Sequence, residues 1–284
     1  MKKTLILAAA ALLLAVAACA PKQTNAEKTA AFQAEMEKIM ADYNEAMRAI
    51  DASDRDAASA LEDAAIEKIR ALGLETMKKN PKDSVSLLAL QNCYYYAEPE
   101  DIEAAISKFS DDLKADPFVQ KVSESLVAKL ATKEGSMFTD FTVDHVLGVD
   151  AEGNEIIEKR SLSDYVGKGK YVLVDFWSPW CPPCKAELPN IKAVYEKYAG
   201  EKFDILSVAV WEESRKMDWR NTIDTAAVYG ITWNQINNGH REPASLYGID
   251  GIPHVILFAP DGTILKRDLR GEALEQAVAA AVAE

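Results

Sequence analysis

The sequence predicts an all-α domain in the N-terminal half of the chain and an α/β domain in the C-terminal half. Between residues 27 and 133, apolar residues recur at three- and four-residue steps, and glycine is almost absent. This period is typical of amphipathic helices. From residue 134 onward, short apolar runs typical of strands alternate with helical segments, which indicates an α/β layout. The length of 284 residues favours two globular units over one.

The chain begins with the features of a secretory signal. Lys2 and Lys3 precede an almost unbroken apolar run, Leu5–Ala18, which is too short to span a bilayer comfortably. We interpret residues 1–18 as a signal peptide. The end of this run, up to Cys19, resembles the lipobox of bacterial lipoproteins, and the resemblance implies cleavage before Cys19 and attachment of lipid to it. The alternative is an ordinary secretory signal that happens to contain a cysteine.

A polar tether, residues 19–26, is predicted to lead into the helical domain, residues 27–133. Asn80-Pro81 interrupts the helical pattern, and Pro99 and Asp116-Pro117 each open a further helix. About five helices and no strand are therefore expected. Two apolar faces define the first two helices: Phe32, Met36, Ile39, Met40, Tyr43 and Met47, and then Leu61, Ala65, Ile66, Ile69, Leu72 and Met77.

The second domain is predicted to span residues 134–284. Two short strands, at Phe138–Val143 and at Ile156-Ile157, are expected around a turn at Gly153-Asn154, and the apolar run Tyr171–Trp177 is expected to form a central buried strand. The other predicted elements are a helix over Cys184–Ala199, a strand over Phe203–Val210, a helix from about Met217 to Tyr229, strands over His254–Phe258 and Thr263–Lys266, and a terminal helix over Gly271–Glu284.

The composition excludes some classes of function. Lys and Arg total 32 against 45 Asp and Glu, which gives a net charge of -13. Binding of phosphate backbones requires a basic face, so a nucleic-acid partner is not expected. Four cysteines are too few for a disulfide-built scaffold in a chain of this length. The positions of the cysteines therefore matter more than their number.

The most informative segment is the Cys-Pro-Pro-Cys motif that follows the predicted strand Tyr171–Trp177. Cys181 lies at or beside a helix N-terminus, where unpaired N–H groups and the helix dipole favour a thiolate. Cys184 lies one turn deeper and is expected to be more buried and protonated. The predicted chemistry is thiol–disulfide exchange, because the Cys181 thiolate can attack a substrate disulfide and Cys184 can then resolve the mixed disulfide.

This segment resembles the active site of the thioredoxin superfamily, and its context resembles the membrane-tethered, extracytoplasmic TlpA/ResA-like branch. The resemblance covers about Glu134–Glu284 and implies a thioredoxin-like mixed sheet flanked by helices. Asp175 stands where thioredoxins keep a buried acid, which implies that it accepts the proton of Cys184. Glu187 is similar to the acid that TlpA/ResA-like reductases place one turn after the second cysteine, where it would tune both thiols.

The resemblance also implies the residues that contact substrate. Trp180 matches a tryptophan that flanks the family's site, and Gly251-Ile252-Pro253 resembles the loop whose cis proline lies opposite the cysteines. In the family, the backbone at the positions of Ile252 and Pro253 pairs with the substrate chain as a short added strand. The Pro-Pro dipeptide between the cysteines departs from thioredoxin, so the resemblance does not fix the strength of the reductant.

Other roles for the cysteines require residues that the sequence lacks or spaces differently. A zinc site needs a second paired cluster of ligands, which does not accompany the motif. A copper-binding module could add His254, although the related copper-binding branch spaces its cysteines more widely. A peroxiredoxin site could use Ser178, but the proline that precedes it in that family is replaced by Val174. Cys93 is expected to be a buried free thiol, with a disulfide to Cys181 as the alternative.

Together these features predict a lipid-anchored, extracytoplasmic thiol–disulfide oxidoreductase that reduces protein disulfides, most simply in the periplasm. Because that compartment is oxidising, we expect a membrane electron donor to reduce the dithiol again after each cycle. No cofactor or metal ion is expected. The alternatives are a disulfide oxidase or isomerase that uses the same dithiol, and a non-enzymatic module that is redox-switched or binds copper.

Overall fold

The computed structural model of the protein describes residues 23–51, 53–237 and 239–283. The predicted signal peptide and the predicted lipidation site Cys19 lie outside these residues. Within them, none of the helices combines the length and the apolar character needed to cross a bilayer. The chain divides into two compact units, of which the first ends at Gln120 and the second begins at Lys121. The domain boundary at residue 133 stays a prediction.

The described residues of the first unit are helical and contain no strand, as expected. A capping box between Thr24 and Glu27 begins the first helix, and the Asp54 side chain caps the second by accepting a hydrogen bond from the Ala57 N–H. The helices are α1 (Asn25–Ala49), α2 (Arg55–Lys79), α3 (Val85–Cys93), α4 (Pro99–Ser107), α5 (Asp111–Lys114) and α6 (Pro117–Ala131), whose last residues belong to the second unit.

The second unit contains a hairpin and a five-stranded mixed sheet. Strands β1 (Thr142–Val149) and β2 (Glu155–Ser161) pair antiparallel. The large sheet has the order β5-β4-β3-β6-β7, in which β3, β4 and β5 run parallel, β6 pairs antiparallel with β3, and β7 pairs antiparallel with β6. The elements are β3 (Tyr171–Trp177), α7 (Pro182–Tyr198), β4 (Phe203–Ala209), α8 (Trp219–Tyr229), β5 (Asn234–Ile236), α9 (Glu242–Leu246), β6 (His254–Phe258), β7 (Ile264–Lys266) and α10 (Gly271–Val282). The predicted thioredoxin-like α/β fold is confirmed.

Strand β3 is the centre of the sheet because its side chains are apolar on both faces. Leu173 and Trp177 pack into the cluster that also contains Cys181 and Cys184, whereas Val172, Val174 and Phe176 pack into the cluster on the opposite face. Alternate residues of a strand point to the same face. Asp175 therefore faces the side of the sheet on which the two cysteines lie.

The structure corrects three details of the predicted elements. The first hairpin strand begins at Thr142 and ends at Val149, several residues later than predicted, because the turn is built by the Asp150 carboxylate, which accepts the Glu152 and Asn154 N–H groups. The active-site helix begins at Pro182, since proline fits a first turn in which N–H groups are unpaired. Strand β5 was not predicted, because two of its three residues are polar.

Candidate active site

The cysteine motif lies where β3 ends and α7 begins. Cys181 is the N-cap of α7, and its Sγ atom accepts a hydrogen bond from the Cys184 N–H at 3.1 Å. Pro182 and Pro183 form the first turn without loss of a hydrogen bond, because the first N–H groups of a helix have no partner within it. The two sulfurs form a disulfide, with 5.3 Å between the Cα atoms. The structure is thus that of the oxidised site.

The expected difference in burial between the two cysteines is absent. Cys181 is 2% exposed and Cys184 is 1% exposed. The expectation failed because the cover comes from a distant segment: the Ile252 carbonyl oxygen lies 3.6 Å from the Cys181 Sγ atom. The Ile252–Pro253 peptide bond is cis, as the resemblance implied. The cis-proline loop therefore lies directly against the sulfur that would attack substrate.

Asp175 is buried, with 1% of its surface exposed. Its Oδ2 atom accepts a hydrogen bond from the Ser207 hydroxyl at 3.4 Å, and its Oδ1 atom has no hydrogen-bond partner among the described residues. Burial and, to a smaller extent, the nearby negative charge of Glu187 together raise the pKa of Asp175 to about 7, against the opposing effect of the Ser207 hydrogen bond. A carboxyl group with this pKa can both take up and release a proton near neutral pH.

Glu187 is half-buried and connects two helices. Its Oε1 atom accepts a hydrogen bond of 2.8 Å from the backbone N–H of Gly271, the first residue of α10. A carboxylate is favoured at this position by the free N–H groups of a helix N-terminus. Glu187 therefore ties the helix that carries Cys184 to the start of α10, in addition to acting on Asp175 through its charge.

The segment that precedes α10 also holds the cis-proline loop. Arg270 donates a hydrogen bond to the Pro253 carbonyl oxygen at 3.0 Å and another to the Asp268 carboxylate at 3.0 Å. Asp268 lies 3.5 Å from the Nδ1 atom of His254, the residue after the cis proline. Burial lowers the pKa of His254, so the ring is mainly neutral at pH 7. These contacts give His254 a structural role beside the loop.

Trp180, the residue before Cys181, packs against the core cluster that contains both cysteines. The guanidinium carbon of Arg215 lies 4.8 Å from the centre of the Trp180 ring, a cation–π contact. Arg215 belongs to the segment that follows β4, where Glu212 is also buried. The Thr222 hydroxyl donates to the Glu212 carboxylate, and burial raises the pKa of Glu212 to about 7.

Comparison with known proteins agrees with this geometry. Residues 135–267 match the AhpC/TSA family. The chain is 30% identical over 138 residues to the thiol-disulfide oxidoreductase ResA of Geobacillus thermodenitrificans, covering 49% of this chain and 70% of the relative. The chain belongs to the ResA-like thiol-disulfide oxidoreductases. ResA of Bacillus subtilis is 29% identical over 138 residues, covering 49% of this chain and 68% of that protein.

The chain is also similar to solved structures of proteins named for thiol–disulfide exchange. The thioredoxin domain of a thiol-disulfide oxidoreductase from Bacteroides vulgatus has 30% sequence identity and a TM-score of 0.40, covering 52% of this chain and 96% of its own. A thiol:disulfide interchange protein from Bacteroides sp. has 29% identity and a TM-score of 0.41, covering 54% of this chain and 93% of its own. As a ResA-like protein, the chain is an enzyme of thiol–disulfide exchange.

Sequence reasoning about this ResA-like site missed the contacts of two arginines. Arg215 and Arg270 meet Trp180 and Pro253 through the tertiary fold, and their positions carry no motif that would have marked them. Cys93 is a buried free thiol, as expected, and the partner of Cys181 is Cys184. Among the described residues, no three His, Cys, Asp or Glu side chains come together in a way that could hold a metal ion.

Proposed function

We propose that this ResA-like protein is a membrane-tethered, extracytoplasmic reductase of protein disulfides that works through Cys181 and Cys184. The observation that carries the proposal is the placement of Cys181 as the N-cap of α7, bonded to Cys184 and covered by the Ile252–Pro253 loop. The Cys184 N–H, which donates to the Cys181 sulfur, and the dipole of α7 stabilise a thiolate once the disulfide is reduced.

The proposed reaction transfers two electrons from the dithiol to the substrate. The Cys181 thiolate attacks one sulfur of the substrate disulfide and expels the other as a thiolate, which leaves a mixed disulfide. The Cys184 thiol loses its proton to Asp175 and attacks Cys181, which releases the second substrate thiolate and closes the Cys181–Cys184 disulfide. Each released substrate thiolate takes up a proton, and Asp175 can return the one that it accepted.

The remaining site residues position the substrate and tune the thiols. Ile252 and Pro253 are proposed to pair with the substrate backbone as an added strand, next to the Cys181 sulfur, and Trp180 packs against the cluster that contains both cysteines. Glu187 is proposed to tune the thiols through its charge, which acts on Asp175, and to position α7 through its hydrogen bond to Gly271.

The anchor and the electron donor are part of the same proposal. Lipid on Cys19 would hold the enzyme at an extracytoplasmic membrane surface, and a membrane dithiol protein would return electrons to Cys181–Cys184. Labelling with a radioactive fatty acid tests the anchor, because label should appear on the wild-type protein and be lost in Cys19→Ser. Label on both proteins, or on neither, would contradict it.

The direction of the reaction is tested by the equilibrium potential of the Cys181–Cys184 couple against glutathione. A reductase requires a low potential, near the value of about -270 mV that thioredoxin shows, whereas a value near about -120 mV is that of a strong oxidant and would favour the oxidase alternative. In parallel, Cys184→Ser should accumulate mixed disulfides with its clients, since resolution needs the second thiol. Recovery of no disulfide-linked client would contradict the proposed pathway.

A further inference from the structure

A cavity of about 360 Å³ lies beside the cis-proline loop. It is partly open to solvent, and its floor and walls include Gly248, Ile249 and Asp250, the residues that lead into Ile252 and Pro253. Asp250 is two residues from Ile252, a separation of at most about 7 Å along an extended chain. A polypeptide that pairs with the loop at Ile252 and continues toward Asp250 therefore reaches this cavity within a few residues.

The cavity lies at the same edge of the sheet as the dithiol. Trp211, which forms one wall, follows β4, and the last residue of β4 is in register with Trp177, the last residue of β3. Cys181 follows β3 at this same edge. The cis-proline loop precedes β6, which pairs with β3 antiparallel and so begins there too. The segments after β3 and β4 and before β6 thus surround one surface.

A further part of the lining comes from helix α6, at Lys121, Glu124 and Ser125. These residues lie outside the region that matches the AhpC/TSA family, which begins at residue 135. The helix approaches closely: a Cβ atom on Gly248 would lie 2.6 Å from the Ser125 carbonyl oxygen, so only glycine fits. Helix α6 therefore contributes to this cavity from outside the matched region.

Positive charge exceeds negative charge around the cavity once the side chains in ion pairs are set aside. The Asp250 carboxylate is bound by Lys129 at 2.8 Å and by the Ser125 hydroxyl at 2.9 Å, so its charge is compensated. Lys121 and Arg241, both exposed, form no ion pair with any residue that the structure describes, and Glu124 is the remaining acid. The rim is thus locally positive on a protein whose net charge is -13.

We propose that this cavity is a specificity pocket that binds an acidic side chain of the client polypeptide, two to four residues from the cysteine under attack. The proposal rests on the proposed reduction of protein disulfides and names the client class. Arg241 and Lys121 attract the carboxylate, and the Trp211 ring packs against the aliphatic part of the side chain. A volume of about twelve water molecules, at about 30 Å³ each, holds one such side chain.

The test uses the full-length protein and a set of three disulfide peptides. The peptides differ only at one position, two to four residues from the attacked cysteine, where they carry Glu, Gln or Lys. Single-turnover reduction by the pre-reduced protein should be about tenfold faster for Glu than for Lys at low salt. Arg241→Gln and Lys121→Gln together should reduce this preference to less than about threefold. Lys168→Gln, which removes a charge near the opposite end of β3, is the matched control and should retain it.

Two further measurements separate this proposal from the proposed function. An uncharged small disulfide, hydroxyethyl disulfide, should be reduced equally by all variants, because it does not reach the cavity. The same peptides with serine in place of cysteine should bind the oxidised protein in the order Glu, Gln, Lys. Equal rates and equal binding for the three peptides, or a preference that persists in the double variant, would overturn the pocket. A binding preference without any disulfide reduction would overturn the proposed function instead.

Discussion

Cys93 and Cys181 are both buried, but they lie at opposite ends of their helices. Cys93 is the last residue of α3, fully buried, and burial raises its pKa to about 12. Cys181 is the N-cap of α7 and is 2% exposed. The C-terminus of a helix disfavours a negative charge, whereas the N-terminus stabilises one. The same side chain is therefore held as a neutral thiol in the first unit and placed for ionisation in the second.

The atoms that surround Cys93 and Cys181 also differ in a way that leaves the first inert and the second reactive. Cys93 packs against Gly73, where an added Cβ atom would lie 2.5 Å from both its Cβ and its Sγ atoms. Cys181 instead meets the Cys184 N–H and the Ile252 carbonyl oxygen, which belong to a partner thiol and a substrate-pairing loop. Burial by itself does not decide whether a cysteine reacts. The helix end and the chemistry of the contacts decide it.

The largest expected effect separates these two cysteines directly. Cys181→Ser should lower the rate of insulin disulfide reduction by at least about 10³-fold, because the alcohol cannot replace the attacking thiolate. Cys93→Ser, the matched control, should leave the rate within about twofold while lowering stability, since it buries a hydroxyl in an apolar site. Equal loss of activity in both variants would show that the contrast between the helix ends does not control reactivity.

The second-largest effect is expected at Asp175, the proposed proton acceptor of Cys184. Asp175→Asn should slow disulfide reduction about 10²-fold at about pH 8, because the proton of Cys184 then has no buried acceptor. The wild-type rate should rise with pH through about 7, the pKa to which burial raises Asp175. Glu212→Gln provides the control, because burial raises the pKa of Glu212 to about 7 as well. A pH profile that Asp175→Asn leaves unchanged would exclude the proposed acceptor.

The same substitution should stabilise the protein. The folded state raises the pKa of Asp175 from 3.8 to about 7, so the folded protein binds a proton that the unfolded chain releases. Stability is therefore lost as the pH rises between these two values, and the loss is complete above the second. Asp175→Asn removes this cost, so its melting temperature should exceed that of the wild type by about 5 °C at about pH 8 and match it near pH 4.

The contrast between the two units explains which parts of the fold could be predicted. Helices α1 and α2 are visible in sequence because their apolar faces repeat over 25 residues each, and β3 is visible as a continuous apolar run. Strand β5 has three residues, two of them polar, and depends on pairing with β4 for its existence. Short edge elements of this kind are defined by tertiary contacts and not by local periodicity.

The site divides in the same way. The positions of Cys181 and Cys184 follow from four consecutive residues, and the cis bond before Pro253 follows from a short loop motif. The burial of Cys181 depends on Ile252, which is 71 residues away, and the contact of Glu187 with Gly271 spans 84 residues. Local sequence patterns identify the reactive atoms. The distant segments that cover and connect these atoms can be identified only from the three-dimensional structure.

A smaller effect is expected at Gly73, which packs against the unreactive thiol of Cys93. Gly73→Ala should lower the free energy of unfolding of the first unit by about 2 kcal/mol, because the new methyl group overlaps the Cys93 side chain. Urea denaturation measures this change. Disulfide reduction by the folded variant should stay within about twofold of the wild type. Unchanged stability would mean that Cys93 is not packed as tightly as the structure places it.

The smallest expected effect separates the two roles of Glu187. Glu187→Gln keeps an oxygen that can accept the Gly271 N–H but removes the charge that raises the pKa of Asp175. Its pH–rate profile should therefore shift to lower pH by less than about one unit, with the plateau rate unchanged. Glu187→Ala also removes the hydrogen bond between α7 and α10, so its plateau rate should fall about fivefold. Identical profiles for both variants would mean that the hydrogen bond does not position the dithiol, and a shift to higher pH would contradict the proposed effect of the charge.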